Sequence, residues 1–129
     1  MSEGVVVVVG GTRAIGFELA RHYVEAGREV VVTGRDPANV DAAVAALEGR
    51  ATGVWFDLAE PSEIAGALRD IGPVSRLALV AIDRDHNSVR DYSIERALRL
   101  VTLKLVGFTA VVSALVDRLD PSSSIVLFG

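Results

Sequence analysis

Seven residues near the N-terminus, Gly10-Gly11-Thr12-Arg13-Ala14-Ile15-Gly16, join small residues to one guanidinium. They lie between a β-branched run, Val5 to Val9, and an amphipathic stretch from Ile15 to Ala26. A turn from strand to helix brings backbone N–H groups together at the helix N-terminus, where the aligned peptide dipoles also favour an anion. Gly10 and Gly11 allow the turn to be tight, and Gly16 lets the helix lie close to the sheet. Two common phosphate loops are excluded by spacing. Gly-x-Gly-x-x-Gly ending at Gly16 needs glycine where Arg13 stands, and no Gly-Lys-Ser/Thr follows four spacers. The chemistry this segment could carry is binding of a dinucleotide pyrophosphate. A strand-to-helix turn with incidental glycines is the competing reading.

Three further positions carry possible chemistry. Thr33-Gly34-Arg35-Asp36 closes a second β-branched run. A carboxylate at such a strand end hydrogen-bonds a ribose 2′-OH, but here Gly34 takes that place and Arg35 follows. A guanidinium pairs with a 2′-phosphate through two parallel hydrogen bonds and keeps its charge at any ordinary pH. Asp36 is the residue that could still serve a ribose hydroxyl. Asp57-Leu58 follows a third run, and the Asp could equally be an ordinary loop or helix-capping residue. Lys104, the single lysine, sits in a long apolar stretch and would either face a ligand or reach to solvent along its aliphatic stem.

These positions need a scaffold, and the periodicity supplies one. Strands are expected at Val5 to Val9, Glu29 to Thr33, Ala51 to Phe56, Arg76 to Ile82 and Ile125 to Phe128. Helices are expected at Ile15 to Ala26, Ala38 to Leu47, Pro61 to Ile71 and Tyr92 to Leu119. Gly27 suits a C-terminal cap, Asp36 an N-cap, and Pro37 a first turn. Short alternating strands and helices require a parallel sheet with right-handed crossovers and helices on both faces. The expectation is a doubly wound α/β domain over residues 1–129, five strands with four helices.

Composition narrows the function. The chain has 129 residues, 50% of them hydrophobic, which suits one domain with a real core. It lacks cysteine, so thiolate metal sites and disulfides are excluded. His22 and His86 have no cluster of carboxylates or other histidines around them and are read as surface residues rather than metal ligands. A net charge of -4 without a basic patch argues against nucleic acid. Val5 to Val9 is too short for a signal peptide or a membrane span, so a cytoplasmic protein without membrane attachment is expected.

The spacing Gly10-x-x-x-Ala14-x-Gly16 resembles the glycine motif of short-chain dehydrogenases/reductases, with Ala14 in the middle glycine position. The likeness runs from the first strand to the fifth. It implies a Rossmann-type fold with strand order 3-2-1-4-5 and a dinucleotide cofactor contacted by Gly10, Thr12, Arg13, Ala14, Ile15 and Gly16. It implies NADP(H), with NAD(H) second, because a basic residue before the middle glycine marks that preference; Arg13 stands there, and Arg35 would join it. In this likeness Gly34 and Arg35 meet the adenosine ribose, Asp57 holds the adenine amino group, and Leu58 lies beside the ring. Ala81 lines the cofactor through its backbone, although Ala81-Ile82-Asp83-Arg84 replaces the usual Asn-Asn-Ala-Gly. Lys104-Leu105-Val106-Gly107 matches the family's Asn-Leu-x-Gly, so Lys104 stands where a proton-relay Asn would be and is a candidate catalytic residue.

The resemblance also implies hydride transfer to or from a small carbonyl or alcohol, and a homo-oligomer formed through the long helix. The stripe Leu98, Val101, Leu105, Phe108, Val112, Leu115 and Leu119 is expected mostly to cover the sheet. Trp55 and Phe56 are expected in the core. The family's catalytic Ser and Tyr-x-x-x-Lys would fall after the fifth strand. Tyr23 and Tyr92 are followed four residues later by Gly27 and Arg96, so neither forms that pair. The sequence is thus expected to be the cofactor-binding half of such an enzyme. A non-catalytic dinucleotide-binding sensor or interaction module is the alternative.

Overall fold

The structure, a computed structural model, describes residues 4–83 and 86–129. Arg84 and Asp85, part of the charged loop after the fourth strand, lie outside the described residues. Five strands form one parallel sheet: β1 (Val5–Val9), β2 (Val30–Gly34), β3 (Ala51–Trp55), β4 (Val74–Leu79) and β5 (Ser124–Leu127). Their order is β3-β2-β1-β4-β5, as the family resemblance implies. The order reverses between β1 and β4, the place where open α/β sheets leave a crevice beyond the strand ends.

The β1 run shows why the sheet is covered twice. Side chains alternate along a strand, so Val5, Val7 and Val9 join one buried cluster and Val6 and Val8 the other. Helices α1 (Ala14–Glu25) and α2 (Pro37–Ala46) close the second cluster through Ala20, Val24 and Val44. Gly27 ends α1 with φ +80; its N–H bonds Val24 O at 3.0 Å and the Arg28 N–H bonds Tyr23 O at 2.9 Å. This pairing satisfies two carbonyls of the last turn of the helix. Asp36 caps α2 by accepting from the Ala38 N–H at 2.9 Å.

On the other face lie α3 (Ile64–Ala67), entered through a 3-10 turn at Pro61–Glu63, and the long helix α4 (Ile94–Arg118). The α3 segment is shorter than the Pro61 to Ile71 helix expected from pattern. Gly66 weakens its interior, and the Arg69 N–H bonds Gly66 O in a tightened last turn. Ser93 caps α4 by accepting from the Arg96 N–H at 3.2 Å. Within α4, Thr102–Gly107 is wound as a π-helix.

Two expectations about apolar side chains need correction. Phe108 and Leu115 are buried, but Leu98, Val101 and Leu105 are 61%, 51% and 66% exposed; Leu103 and Val111 take the inner face instead. A π turn holds an extra residue, and one residue rotates a helix face by about 100°. The stripe drawn at constant spacing therefore leaves the sheet before the π segment. Phe56, just after β3, is buried at 5%, whereas Trp55 at the end of β3 is 60% exposed. Adjacent residues point to opposite faces, and β3 is an edge strand. Among the described residues α4 is also the one helix long and apolar enough to cross a membrane, although Leu103, Phe108, Val111 and Leu115 pack on the sheet.

Candidate functional site

The glycine turn is tied to the end of β2. The N–H groups of Gly10 and Gly11 both donate to Thr33 O, at 3.1 and 3.0 Å. Gly10 has φ +91, and a Cβ there would lie 2.6 Å from the Ala81 backbone. A Cβ on Gly16 would lie 2.0 Å from Gly10 O. Ala14 adopts φ +52, the left-handed conformation that a glycine takes without penalty. An alanine there costs about 1–2 kcal/mol, which the fixed turn around it overcomes.

Arg13 precedes α1 in extended conformation, and no side chain caps the helix. The N–H groups of Ala14, Ile15 and Gly16 find no acceptor among the described residues. Four orphan donors are normal at a helix start; leaving them uncapped and facing a cleft makes an anion seat.

That cleft has a volume of about 400 Å³ at the switch point between β1 and β4. One wall is the turn itself, with Gly10, Thr12, Arg13, Ala14, Ile15 and Gly16. The β2 end contributes Gly34 and Arg35, the β3 end Asp57 and Leu58, and the β4 end Ala81. Lys104 enters from α4. Lys104 and every position expected to touch the cofactor thus border one cavity, although they span four strand ends and a helix; Gly11 of the turn is buried away from it.

The side chains have distinct surroundings. Arg13 is exposed and makes no ion pair among the described residues. Thr12 and Gly34 are in close register, since a Cβ on Gly34 would sit 2.7 Å from Thr12 Cγ2. Asp57 Oδ1 accepts from the Ala59 N–H at 2.9 Å, the loop-capping role expected of an ordinary Asp. It is engaged a second time by Arg99, whose Nη2 donates to Oδ1 at 3.1 Å and Oδ2 at 3.2 Å. Lys104 Nζ donates to Ala81 O at 3.1 Å and Phe128 O at 3.2 Å and lies 4.8 Å from the Phe108 ring centroid. It therefore bridges the ends of β4 and β5. Gly107 explains why α4 can come so close: a Cβ there would lie 2.4 Å from Leu58 O.

Arg99 was not legible as a site residue. Arg99 lies on α4 between leucines and has the spacing of a solvated face. Its Nε donates to Asp83 Oδ2 at 3.1 Å, so it joins two carboxylates that are far apart in sequence. Burial would lower the Arg99 pKa, but hydrogen bonds and charge from Asp83 and Asp57 outweigh it and hold the pKa above the ordinary value. Asp83 lines the cleft, whereas His86 is exposed. No group of three or more His, Cys, Asp or Glu suited to a metal occurs among the described residues.

Residues 4–127 match the family model for short chain dehydrogenase. The chain belongs to the short chain dehydrogenase family. Over 54 residues it is 44% identical to dehydrogenase/reductase SDR family member 4 of Mus musculus, covering 42% of this chain and 19% of that protein. The uncharacterized oxidoreductase YvrD of Bacillus subtilis (strain 168) is 25% identical over 95 residues, 72% of this chain and 36% of the relative. A solved structure of a short chain dehydrogenase/reductase family protein superposes with a TM-score of 0.86 at 28% identity, covering 98% of this chain and 55% of that one. This short chain dehydrogenase sequence thus spans about half the length of the solved relative and less of the two curated ones. The family comprises oxidoreductases that bind nicotinamide dinucleotides. The donors and charges of the cleft are compatible with such a group: N–H groups without an acceptor among the described residues at the start of α1, exposed guanidiniums, and a carboxylate at the β3 end.

Proposed function

We propose that this chain is the cofactor-binding half of an NADP(H)-dependent oxidoreductase that moves hydride between the nicotinamide and a small carbonyl or alcohol. The observation that carries it is the uncapped N-terminus of α1 opening into a cleft that Arg13 and Arg35 also line. The amides of Ala14, Ile15 and Gly16 would hold the pyrophosphate. Arg13 and Arg35 would hold the 2′-phosphate, with Gly34 and Thr12 beside the ribose. Asp57 keeps acceptor capacity on Oδ2 for an adenine amino group, and Leu58 offers an apolar side to the base. The bound nicotinamide supplies or takes up the hydride. Ala81 would line the cofactor by its backbone.

Titration of the chain with NADPH and with NADH tests this reading. NADPH is expected to bind at least tenfold more tightly, because each phosphate–guanidinium hydrogen bond contributes about 1.5–3 kcal/mol where it is well formed. Tighter NADH binding would reverse the cofactor assignment.

Lys104 contributes a positive charge where β4 and β5 end. In the intact enzyme it would orient substrate or stabilise charge developing on oxygen. Replacing it with Met is expected to lower kcat about tenfold with a smaller change in NADPH affinity; unchanged turnover would remove Lys104 from the mechanism.

The outer face of α4, with Leu98, Val101 and Leu105, is proposed to join two copies of the chain, since exposed apolar area of this extent seeks cover. Sedimentation at micromolar concentration is expected to show a dimer or larger species, and a clean monomer would argue against it. A cytoplasmic location is part of the same proposal.

A further inference from the structure

The mouth of the cleft carries four charged side chains in one series of contacts: Asp57, Arg99, Asp83 and Arg35. Arg99 holds both carboxylates. Its Nε donates to Asp83 Oδ2 at 3.1 Å, and the same oxygen lies 3.8 Å from Arg35 Nη1. The first contact is a hydrogen bond; the second is beyond hydrogen-bond length and acts through charge alone. Arg35 is also the freer partner, with its side chain 62% exposed against 34% for Arg99. Asp83 is therefore anchored on the helix side and presents its remaining charge to the guanidinium at the β2 end.

This arrangement bears on which dinucleotide the cleft prefers. A phosphate dianion that pairs with Arg35 meets Asp83 as a competitor and as a like charge. A ribose hydroxyl meets no such penalty, because a carboxylate accepts its hydrogen bond. We infer that Asp83 is a specificity-determining residue, a carboxylate anchored by Arg99 that weakens the preference for a 2′-phosphorylated dinucleotide by competing for Arg35. The inference rests on the reading of this cleft as a dinucleotide site. Asp83 acts through Arg35, so its effect must depend on Arg35.

The test is fluorescence titration of the full chain with NADPH and NADH at low ionic strength. Wild type, Asp83→Asn, Arg35→Gln and the double variant are compared. Asp83→Asn is expected to tighten NADPH about fivefold and NADH less than about twofold, the scale of a partly exposed charge pair. In the Arg35→Gln background the NADPH gain is expected to shrink to about twofold or less. Asp83→Ser carries the same expectations should the Asn variant fold poorly by thermal melting. An unchanged or lower NADPH to NADH affinity ratio, or an equal gain with and without Arg35, overturns the inference alone. Wild type binding neither dinucleotide overturns the reading of the cleft, and the inference falls with it.

Discussion

Replacing Gly16 with alanine is expected to destabilise the domain by about 3 kcal/mol and to weaken dinucleotide binding more than tenfold. Helix propensity alone argues the reverse, because Gly to Ala inside a helix gains about 1 kcal/mol. The decisive fact is the space. The new Cβ would sit 2.0 Å from Gly10 O and 2.8 Å from Gly10 C, both backbone atoms of the turn. Neither can swing aside like the tip of a side chain. Either α1 moves outward or the turn opens, and both displace the N–H groups that face the cleft. Thermal melting should show a midpoint lower by roughly 10 °C for a domain of this size. Gly66→Ala is the internal control. Nothing lies within 4 Å of a Cβ built there, so propensity should prevail and raise stability by up to about 1 kcal/mol. Equal behaviour of the two variants would show that the close approach at Gly16 is not what limits it.

The second large effect is expected when both guanidiniums are removed together. The Arg13→Gln, Arg35→Gln double variant should lose about 100-fold in NADPH affinity, while NADH changes by no more than about threefold. Each single variant should fall between, since both side chains are exposed and one can partly cover for the other. The loss should be larger at low salt, because exposed charges are screened over roughly 10 Å at 0.1 M ionic strength. Calorimetric titration at two salt concentrations reads both quantities. Equal losses for NADPH and NADH would mean that the guanidiniums do not distinguish the 2′-phosphate.

Lys104 shows how a residue can be picked out early and understood late. Its alignment with Gly107 marked it. Its two carbonyl acceptors, on Ala81 and Phe128, could not be read from position alone. They exist because β4 and β5 are neighbours and α4 crosses behind them. Ala14 shows the opposite case. Its place in the glycine motif could be read from spacing alone, and its φ of +52 is the conformation a glycine takes without penalty.

What was legible in the chain was local. The Val5 to Val9 run, the Asp36 cap, the Gly27 stop and the spacing of Gly10, Ala14 and Gly16 each depend on interactions within a few residues. Together they were enough to yield a doubly wound parallel sheet, because parallel right-handed crossovers leave few topologies; the strand order came with the family resemblance. Three features waited for the assembled fold. Arg99 and Asp57 are 42 residues apart, and their pairing follows from α4 lying across the end of β3. The π turn at Thr102–Gly107 turned Leu98, Val101 and Leu105 away from the sheet. Trp55 was left exposed because β3 stands at an edge. Periodicity and turn chemistry are properties of neighbours along the chain, whereas charge partners and the facing of a helix depend on what packing brings alongside.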